Sequence, residues 1–531
     1  MNILLWTLSL LLGAVLLAAL ARRIKVPSPS LLALGGVLVA LIPDGPRISL
    51  EPDLALALFV APVLMDAAFD NSLRDLRENW IPVISLVFMA VAVTTAAVAL
   101  VARWLVPAMP WPVAIALGAA VAPPDAAAAT AVLKEVRLPH RLVTILEDES
   151  LLNDASALLV YRLAVGAAIA HTGNAIEVTS TLAFILVGSV AAGALFAFAY
   201  GNIVNRFSDV PSSIVMQFIG AFGIWILADQ LELSGVLVVV TAAVILSRRS
   251  AIRMPAAVRV PSYAVWDLAV FVLNALAFIL AGLQIGPIMD RLAHAQHVHY
   301  GIFATAILVT VILARTAWVM TYNLSLRLAR RVFGPRGPRA LSPPPFKNGV
   351  LVSWCGMRGI VTLAAALALP DGTGGGPAFP YRDLIVLTAF AVVLGTLVVQ
   401  GLTLRTLVMT LGLEDDSPVD SEIRAGRVQI FKAALESLDN RNNAGLDNIE
   451  TDAASAFRRE LEEALTRIDG SAGRSEREHQ AEVALRANAR TAARERLNAL
   501  RSAGAIGEAA YQELEKELDL IELDADVRSR W

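Results

Sequence analysis

The sequence predicts an all-α polytopic membrane protein. Thirteen transmembrane helices form two inverted six-helix repeats with crossed broken helices, and a helical soluble tail follows. Three observations carry this expectation. First, 56% of the 531 residues are apolar and 17% charged, against about 45–50% and about 25% in soluble domains. With a mean hydropathy of +0.62, the chain holds more apolar surface than one soluble core can hide. Second, charge is segregated: 36% of residues 414–531 are charged but only 12% of residues 1–413. This divides the chain into a membrane domain, 1–413, and a cytoplasmic helical tail, 414–531. Third, two apolar stretches lying seven spans apart are interrupted in mid-membrane, at Pro123-Pro124 and at Gly356–Gly359.

Composition also excludes. The single cysteine, Cys355, rules out a disulfide framework or a multi-cysteine metal site. Six histidines are too few and too scattered for a zinc cluster, and His294, His297 and His299 share one loop where they read as solvated. The formal net charge of −3 splits into +6 for the membrane part and −9 for the tail. Neither part carries a basic patch, so nucleic acid is not an expected partner. Membrane lipid is.

The first apolar stretch, Asn2–Leu20, precedes its positive charges, Arg22, Arg23 and Lys25. A secretory signal has the opposite order, so this reads as a true first span. Further apolar stretches follow at 30–43, 51–70, 80–105, 112–133, 142–170, 178–205, 211–231, 234–247, 262–289, 300–326, 347–370 and 381–412. Each can cross a hydrocarbon core of about 30 Å with tilt, the second and ninth being the shortest. With the N-terminus outside, 19 lysines and arginines fall in inside loops and 4 in outside loops. That asymmetry fits the positive-inside rule, and it puts the C-terminus and the tail in the cytoplasm.

Charge within a span costs at least about 2.5–3.5 kcal/mol by insertion scales, so it needs a partner or a task. The sixth span holds Glu147-Asp148-Glu149-Ser150-Leu151-Leu152-Asn153-Asp154. Ser150 and Asp154, four residues apart, share one face; Glu149 and Asn153 share the adjacent stripe. Glu147 and Asp148 lie near the cytoplasmic end, within reach of water. Arg315 or Arg358 can neutralise Glu149. Nothing near Asp154 in sequence pairs with it, and an unpaired intramembrane carboxylate suits a cation or a proton.

In the fifth span, Pro123-Pro124-Asp125 cannot continue a helix, because neither proline donates an N–H and both rings clash with the preceding turn. The helix breaks near Ala122, which is tolerated at membrane depth only inside protein or beside a watery cavity. A new helix starting near Asp125 offers free N–H groups that this carboxylate can cap, and the freed carbonyls upstream can face a cation. In the twelfth span, Gly356 and Gly359 bracket Arg358. Interruptions at matching places in two halves point to a transporter built of inverted repeats. Spans 1–6 and 8–13 are then the repeats, with span 7 as linker, and Asp125 and Arg358 compensate the broken ends where the two helices cross. Asp66, one turn inside the end of the third span, is placed to line an inner funnel. Asp229 and Asp267, isolated near span ends, read as structural or interfacial.

The motif Glu149-Ser150-Leu151-Leu152-Asn153-Asp154-Ala155, with Pro124-Asp125-Ala126 before it and Gly356-Met357-Arg358-Gly359 after it, resembles the bacterial sodium/proton exchangers of the first monovalent cation:proton antiporter family. The likeness covers about residues 1–413. It implies a homodimer in which a core domain moves against a fixed dimerisation domain, in the bacterial cytoplasmic membrane. It implies Asp154 as alternating carrier of Na⁺ or H⁺, with Ser150 and the unwound backbone at Ala122-Pro123-Pro124 as further Na⁺ ligands. Asn153 and Asp125 would hold the crossing, Glu149 would be tied to Arg315, and Asp66 would order water in the funnel. No cofactor is implied beyond the transported ions. The chain departs from the family's pattern at Pro124, Asp66 and Asp148, which bears on ion preference among Na⁺, Li⁺ and K⁺.

Asn153, where a second acid would add a second charge per cycle, predicts electroneutral one-for-one exchange. A proton-coupled symporter of another solute and a cation channel are the rival classes; no repeated filter motif supports the channel. An enzyme lacks its constellation, since no histidine or cysteine lies near the acids. In the tail, Ala454–Arg467 and Ala481–Leu500 show helical spacing around a loop at Asp469–Gly473. The tail reads either as a plain helical appendage or as a regulatory module with a cytoplasmic ligand.

Overall fold

The computed structural model describes residues 2–42, 52–71, 73–125, 138–170, 175–204, 206–207, 209–291, 297–333, 345–371, 378–413 and 418–442, with scattered positions between 455 and 514. Every element among them is helical. The new helix expected after Asp125, and most of the tail stretches named above, lie outside the described residues.

Helices occupy each apolar stretch. They are α1 (Asn2–Ile24), α2 (Ser28–Ala40), α3 (Pro52–Ala55, a π turn Leu56–Val60 and Ala61–Asp70), the short α4 (Leu73–Glu78), α5 (Trp80–Ile84, a π turn Ser85–Ala90 and Val91–Leu105) and α6 (Trp111–Val121). Then come α7 (His140–Ala170), α8 (Ala175–Val204), α9 (Val210–Gln230), α10 (Gly235–Arg253), α11 (Ala256–Leu283), the short α12 (Ile285–Arg291), α13 (His297–Phe333), α14 (Phe346–Trp354) and α15 (Ile360–Leu367). Last are α16 (Arg382–Thr396, a π turn Leu397–Gly401 and Leu402–Leu411) and α17 (Pro418–Asn442). Among the described residues, eight helices are long and apolar enough to cross a membrane unaided. Helix α6 is shorter because Pro123 and Pro124 remove donors from its continuation. Helix α10 outruns its apolar stretch, since Ser247–Arg253 remains helical once past the apolar residues.

The helices of residues 1–416 pack as one compact unit. In it, α2 lies along α11 and α8 along α10, with the Ala61–Asp70 part of α3 against α10. Helix α6 sits between α5 and α7, while α13 packs on α5, α14 and α16. The α2–α11 contact is close because Gly36 and Gly282 face each other: a Cβ at either would overlap the other helix's backbone. Such close packing of small residues is how helices associate where lipid offers no hydrophobic drive. Large apolar side chains such as Leu12, Trp104, Leu195 and Leu268 stand more than half exposed on the outer faces, as lipid-facing surface does. Outside the apolar layer, Asp209 caps α9, accepting from the Ser212 N–H at 2.9 Å. Hydrogen bonds from Ser212 hold its carboxyl below the usual carboxylate range, so the cap weakens as pH falls through that lowered value. Residues 417–531 form a second compact unit, of which α17 is a 25-residue polar helix.

Candidate functional site

The site is built where two helices stop. Helix α6 ends at Val121, and residues 122–125 are unwound; α14 ends at Trp354, and the chain is unwound from Cys355 to Gly359 before α15 begins. The two unwound segments touch: the Asp125 N–H donates to the Met357 carbonyl at 2.6 Å. Gly359 packs on the Asp125 carboxylate so closely that any side chain there would overlap it. A broken helix leaves carbonyls without donors. Arg358, fully buried, supplies them: its Nε donates to Val121 O at 3.1 Å, its Nη2 to Ala122 O at 3.2 Å, and its Nη1 to Gly356 O. Its own N–H donates to Thr396 Oγ1 at 3.0 Å. The planar fork of guanidinium donors suits this task, where a lysine would offer one point.

Helix α7 runs past the crossing and presents its two stripes differently. On one stripe, Asn153 is fully buried and its Nδ2 donates to Pro124 O at 2.9 Å. Its Oδ1 is buried, with no hydrogen-bond donor among the described residues. Glu149 on the same stripe is bound in a forked pair by Arg315, with Nη1–Oε1 at 2.5 Å and Nη2–Oε2 at 2.8 Å. Both side chains are 2% exposed. Arg315 also donates to the Val352 carbonyl near the end of α14, so one guanidinium satisfies a carboxylate and a helix end together. Of the two counter-ions open to Glu149, packing selects Arg315, because Arg358 is occupied by the carbonyls. One turn on, the Ser156 hydroxyl donates to Val87 O, in the π turn of α5, at 2.7 Å. A π turn exposes carbonyls that an α-helix would use, and this one serves to seat α7.

The other stripe faces a cavity of about 610 Å³ lined from α2, α3, α7, α11 and α15. Ser150 and Asp154 both line it, together with Pro123, Asp125 and Asp66. Asp154 is half-buried, and among the described residues no hydrogen bond or ion pair engages it. Ala122 and Pro124 do not line the cavity; their carbonyls face Arg358 and Asn153.

Several cavity residues escaped the sequence reading. Asp267, read as structural or interfacial, lines the cavity from α11, as do His140, Asn71 and Asp75 from α7 and the α3–α4 region. Only the last two have a sequence signal, since they follow Asp66 at the end of the same span. Asp148, expected within reach of water, is 1% exposed, lines the cavity and accepts from Asn71 Nδ2 at 2.6 Å. Asp229 stands 3.8 Å from Arg162, an exposed pair. Among the described residues, no cluster of three His, Cys, Asp or Glu has metal-holding geometry.

Residues 8–410 match the family model described as sodium/hydrogen exchanger, transmembrane. An uncharacterized Na⁺/H⁺ exchanger of Mycobacterium tuberculosis is 31% identical over 438 residues, covering 81% of this chain and 78% of that one. A sodium, potassium, lithium and rubidium/H⁺ antiporter of Bacillus pumilus is 28% identical over 81% of this chain and 64% of its own length. The sodium proton antiporter MjNhaP1 of Methanocaldococcus jannaschii, solved at pH 8, shares the fold with a TM-score of 0.59 at 20% identity, over 78% of this chain and all of that one. The chain belongs to the transmembrane sodium/hydrogen exchanger family, a family of antiporters and not of enzymes.

Proposed function

We propose that the protein exchanges Na⁺ for H⁺ across the bacterial cytoplasmic membrane, one for one and without net charge, by alternating access. Asp154 carries either ion. The observation that supports this most is its isolation: of the acids on the α7 motif it lines the cavity without a partner among the described residues, whereas Glu149 is neutralised by Arg315. Partly removed from water, its charge resists transfer across the apolar barrier until Na⁺ or H⁺ cancels it. Exchange follows, because only the loaded carboxylate crosses.

In this reading Ser150 and the unwound backbone at Ala122-Pro123-Pro124 complete the Na⁺ site, with Pro123 the one of the three that reaches the cavity. Asn153, Asp125 and Arg358 hold the crossing, and Asp66 orders water on the path. Asn71, Asp75 and His140, which line the cavity, lie by loops that the arginine distribution assigns to the cytoplasm, so ions would reach Asp154 from that side. Thirteen spans in two inverted repeats, the N-terminus outside, a homodimer and a regulatory cytoplasmic tail belong to the same proposal.

Purified protein in liposomes, given an outward Na⁺ gradient and a pH-sensitive dye, tests the carrier. Asp154→Asn is expected to abolish Na⁺-driven proton flux while the protein remains folded and membrane-embedded. Flux persisting in that variant overturns the assignment. Repeating the wild-type measurement with Li⁺ and K⁺ fixes the selectivity, which the broad range named for the Bacillus relative leaves open.

A further inference from the structure

A second cavity, of about 570 Å³, lies among α3, α8, α9, α10 and α11. Three guanidiniums line it: Arg248 and Arg249 near the C-terminal end of α10, and Arg259 near the start of α11. Leu246 is the last apolar residue of α10 before this polar run, so the arginines stand where the helix leaves the apolar layer. The rest of the wall is largely apolar and aromatic, with Tyr200 and Trp266 as its large rings. The polar groups of that wall are spent within it. Trp266 Nε1 donates to Gln217 Oε1 at 2.7 Å, Gln217 Nε2 to Ser262 Oγ at 3.2 Å, and the Tyr200 hydroxyl to Met216 O. Among the described residues, neither Arg248 nor Arg249 forms an ion pair; the Arg249 guanidinium lies 4.0 Å over the Phe198 ring.

Guanidiniums match phosphate oxygens through paired N–H donors. A soluble anion would use the guanidiniums and leave the apolar space behind them unfilled. An amphiphile uses both, with its head at the edge of the apolar layer and its tail inward, as basic pockets between spans hold lipid headgroups. We propose that this cavity binds an anionic phospholipid, its phosphate held by Arg248, Arg249 and Arg259 and part of an acyl chain lying against Tyr200 and Trp266. Asp66 lines this cavity and the ion cavity alike, so lipid occupancy shifts the apparent Na⁺ affinity. That consequence rests on the exchange reading; the binding does not.

The test is thermal unfolding of the full chain in detergent with phosphatidylglycerol, with phosphatidylcholine of the same acyl chains, or with inorganic phosphate alone. Phosphatidylglycerol is expected to raise the midpoint by a few degrees, as a ligand of the folded state does, and the other two to leave it nearly unchanged. The rise should be lost in R248Q/R249Q/R259Q, and also in Gly201→Phe, which fills the cavity and keeps all three guanidiniums. The midpoint of each variant without lipid shows that it folds. An equal rise with phosphatidylcholine, a rise with phosphate alone, or an undiminished rise in both variants overturns the lipid site. In liposomes, an apparent KM for Na⁺ that differs between the two lipids in wild type but not in Gly201→Phe supports coupling through Asp66. An unchanged KM beside an intact midpoint shift overturns the coupling alone.

Discussion

Asp154 and Glu149 are five residues apart on one helix, yet their surroundings make them different chemical objects. Glu149 is held by both nitrogens of the Arg315 fork in a dry interior, which fixes its charge as structure. Asp154 faces the cavity. Breaking a buried pair from one side leaves an uncompensated charge and costs about 3–5 kcal/mol. Arg315→Ala is therefore expected to lower thermal stability or yield severely, while Glu149→Leu/Arg315→Leu recovers much of the loss; thermal unfolding of the purified variants measures both. If the double variant is no better than the single, the pair is not what Arg315 supplies. The arithmetic of i, i+4 positions separated these stripes correctly from sequence, because the period of a helix is local. Spacing alone left Arg315 and Arg358 both open to Glu149, and it was the family resemblance that named Arg315, because the choice depends on α13 packing beside α14. The presence of Asp267 at the cavity was hidden for the same reason, as it comes to it from α11.

At the scale of elements, the interruptions hold the design. Two prolines stop α6, and the unwound segment between α14 and α15 comes within hydrogen-bonding distance of it, Gly359 leaving room for the Asp125 carboxylate and Gly356 for the Arg315 and Arg358 side chains. Gly359→Ala would place a methyl group on the Asp125 carboxylate, so it is expected to cut exchange activity and lower the unfolding midpoint together. Arg358→Lys keeps the charge but loses the fork that reaches Val121 and Ala122. Its unfolding midpoint should fall nearly as far as that of Arg358→Ala; full retention by lysine would show that charge alone suffices. Where α2 meets α11, Gly282→Leu forces the backbones apart, and overpacking of this kind costs about 1–3 kcal/mol, again read by thermal unfolding. The breaks were legible because proline and glycine act on the backbone they occupy. The π turns among the described residues were not, since Leu56–Val60, Ser85–Ala90 and Leu397–Gly401 have ordinary apolar sequences; the second meets α7 through the Ser156 hydroxyl, which donates to the Val87 carbonyl.

For the whole molecule, the arginine distribution makes the proposed orientation testable with little engineering, since Cys355 is the single cysteine and is buried. In a Cys355→Ala background, Arg77→Cys should react with a membrane-impermeant maleimide only from the cytoplasmic side, and His299→Cys only from outside. Both reacting from one side would break the thirteen-span topology. A helical membrane protein was plain in composition because lipid and water sort residues over long stretches. The grouping of helices around one cavity was not, because it rests on contacts far apart in sequence. One-for-one exchange is a property of the entire cycle, and its rate in liposomes should respond little to imposed voltage. The most direct measurement is the apparent KM for Na⁺ as a function of pH in the same liposomes. Competition of both ions for Asp154 predicts a KM that rises in proportion to proton concentration on the acid side, with the maximal rate at saturating Na⁺ little affected. A KM independent of pH, with only the maximal rate changing, would mean that Na⁺ and H⁺ bind at separate places.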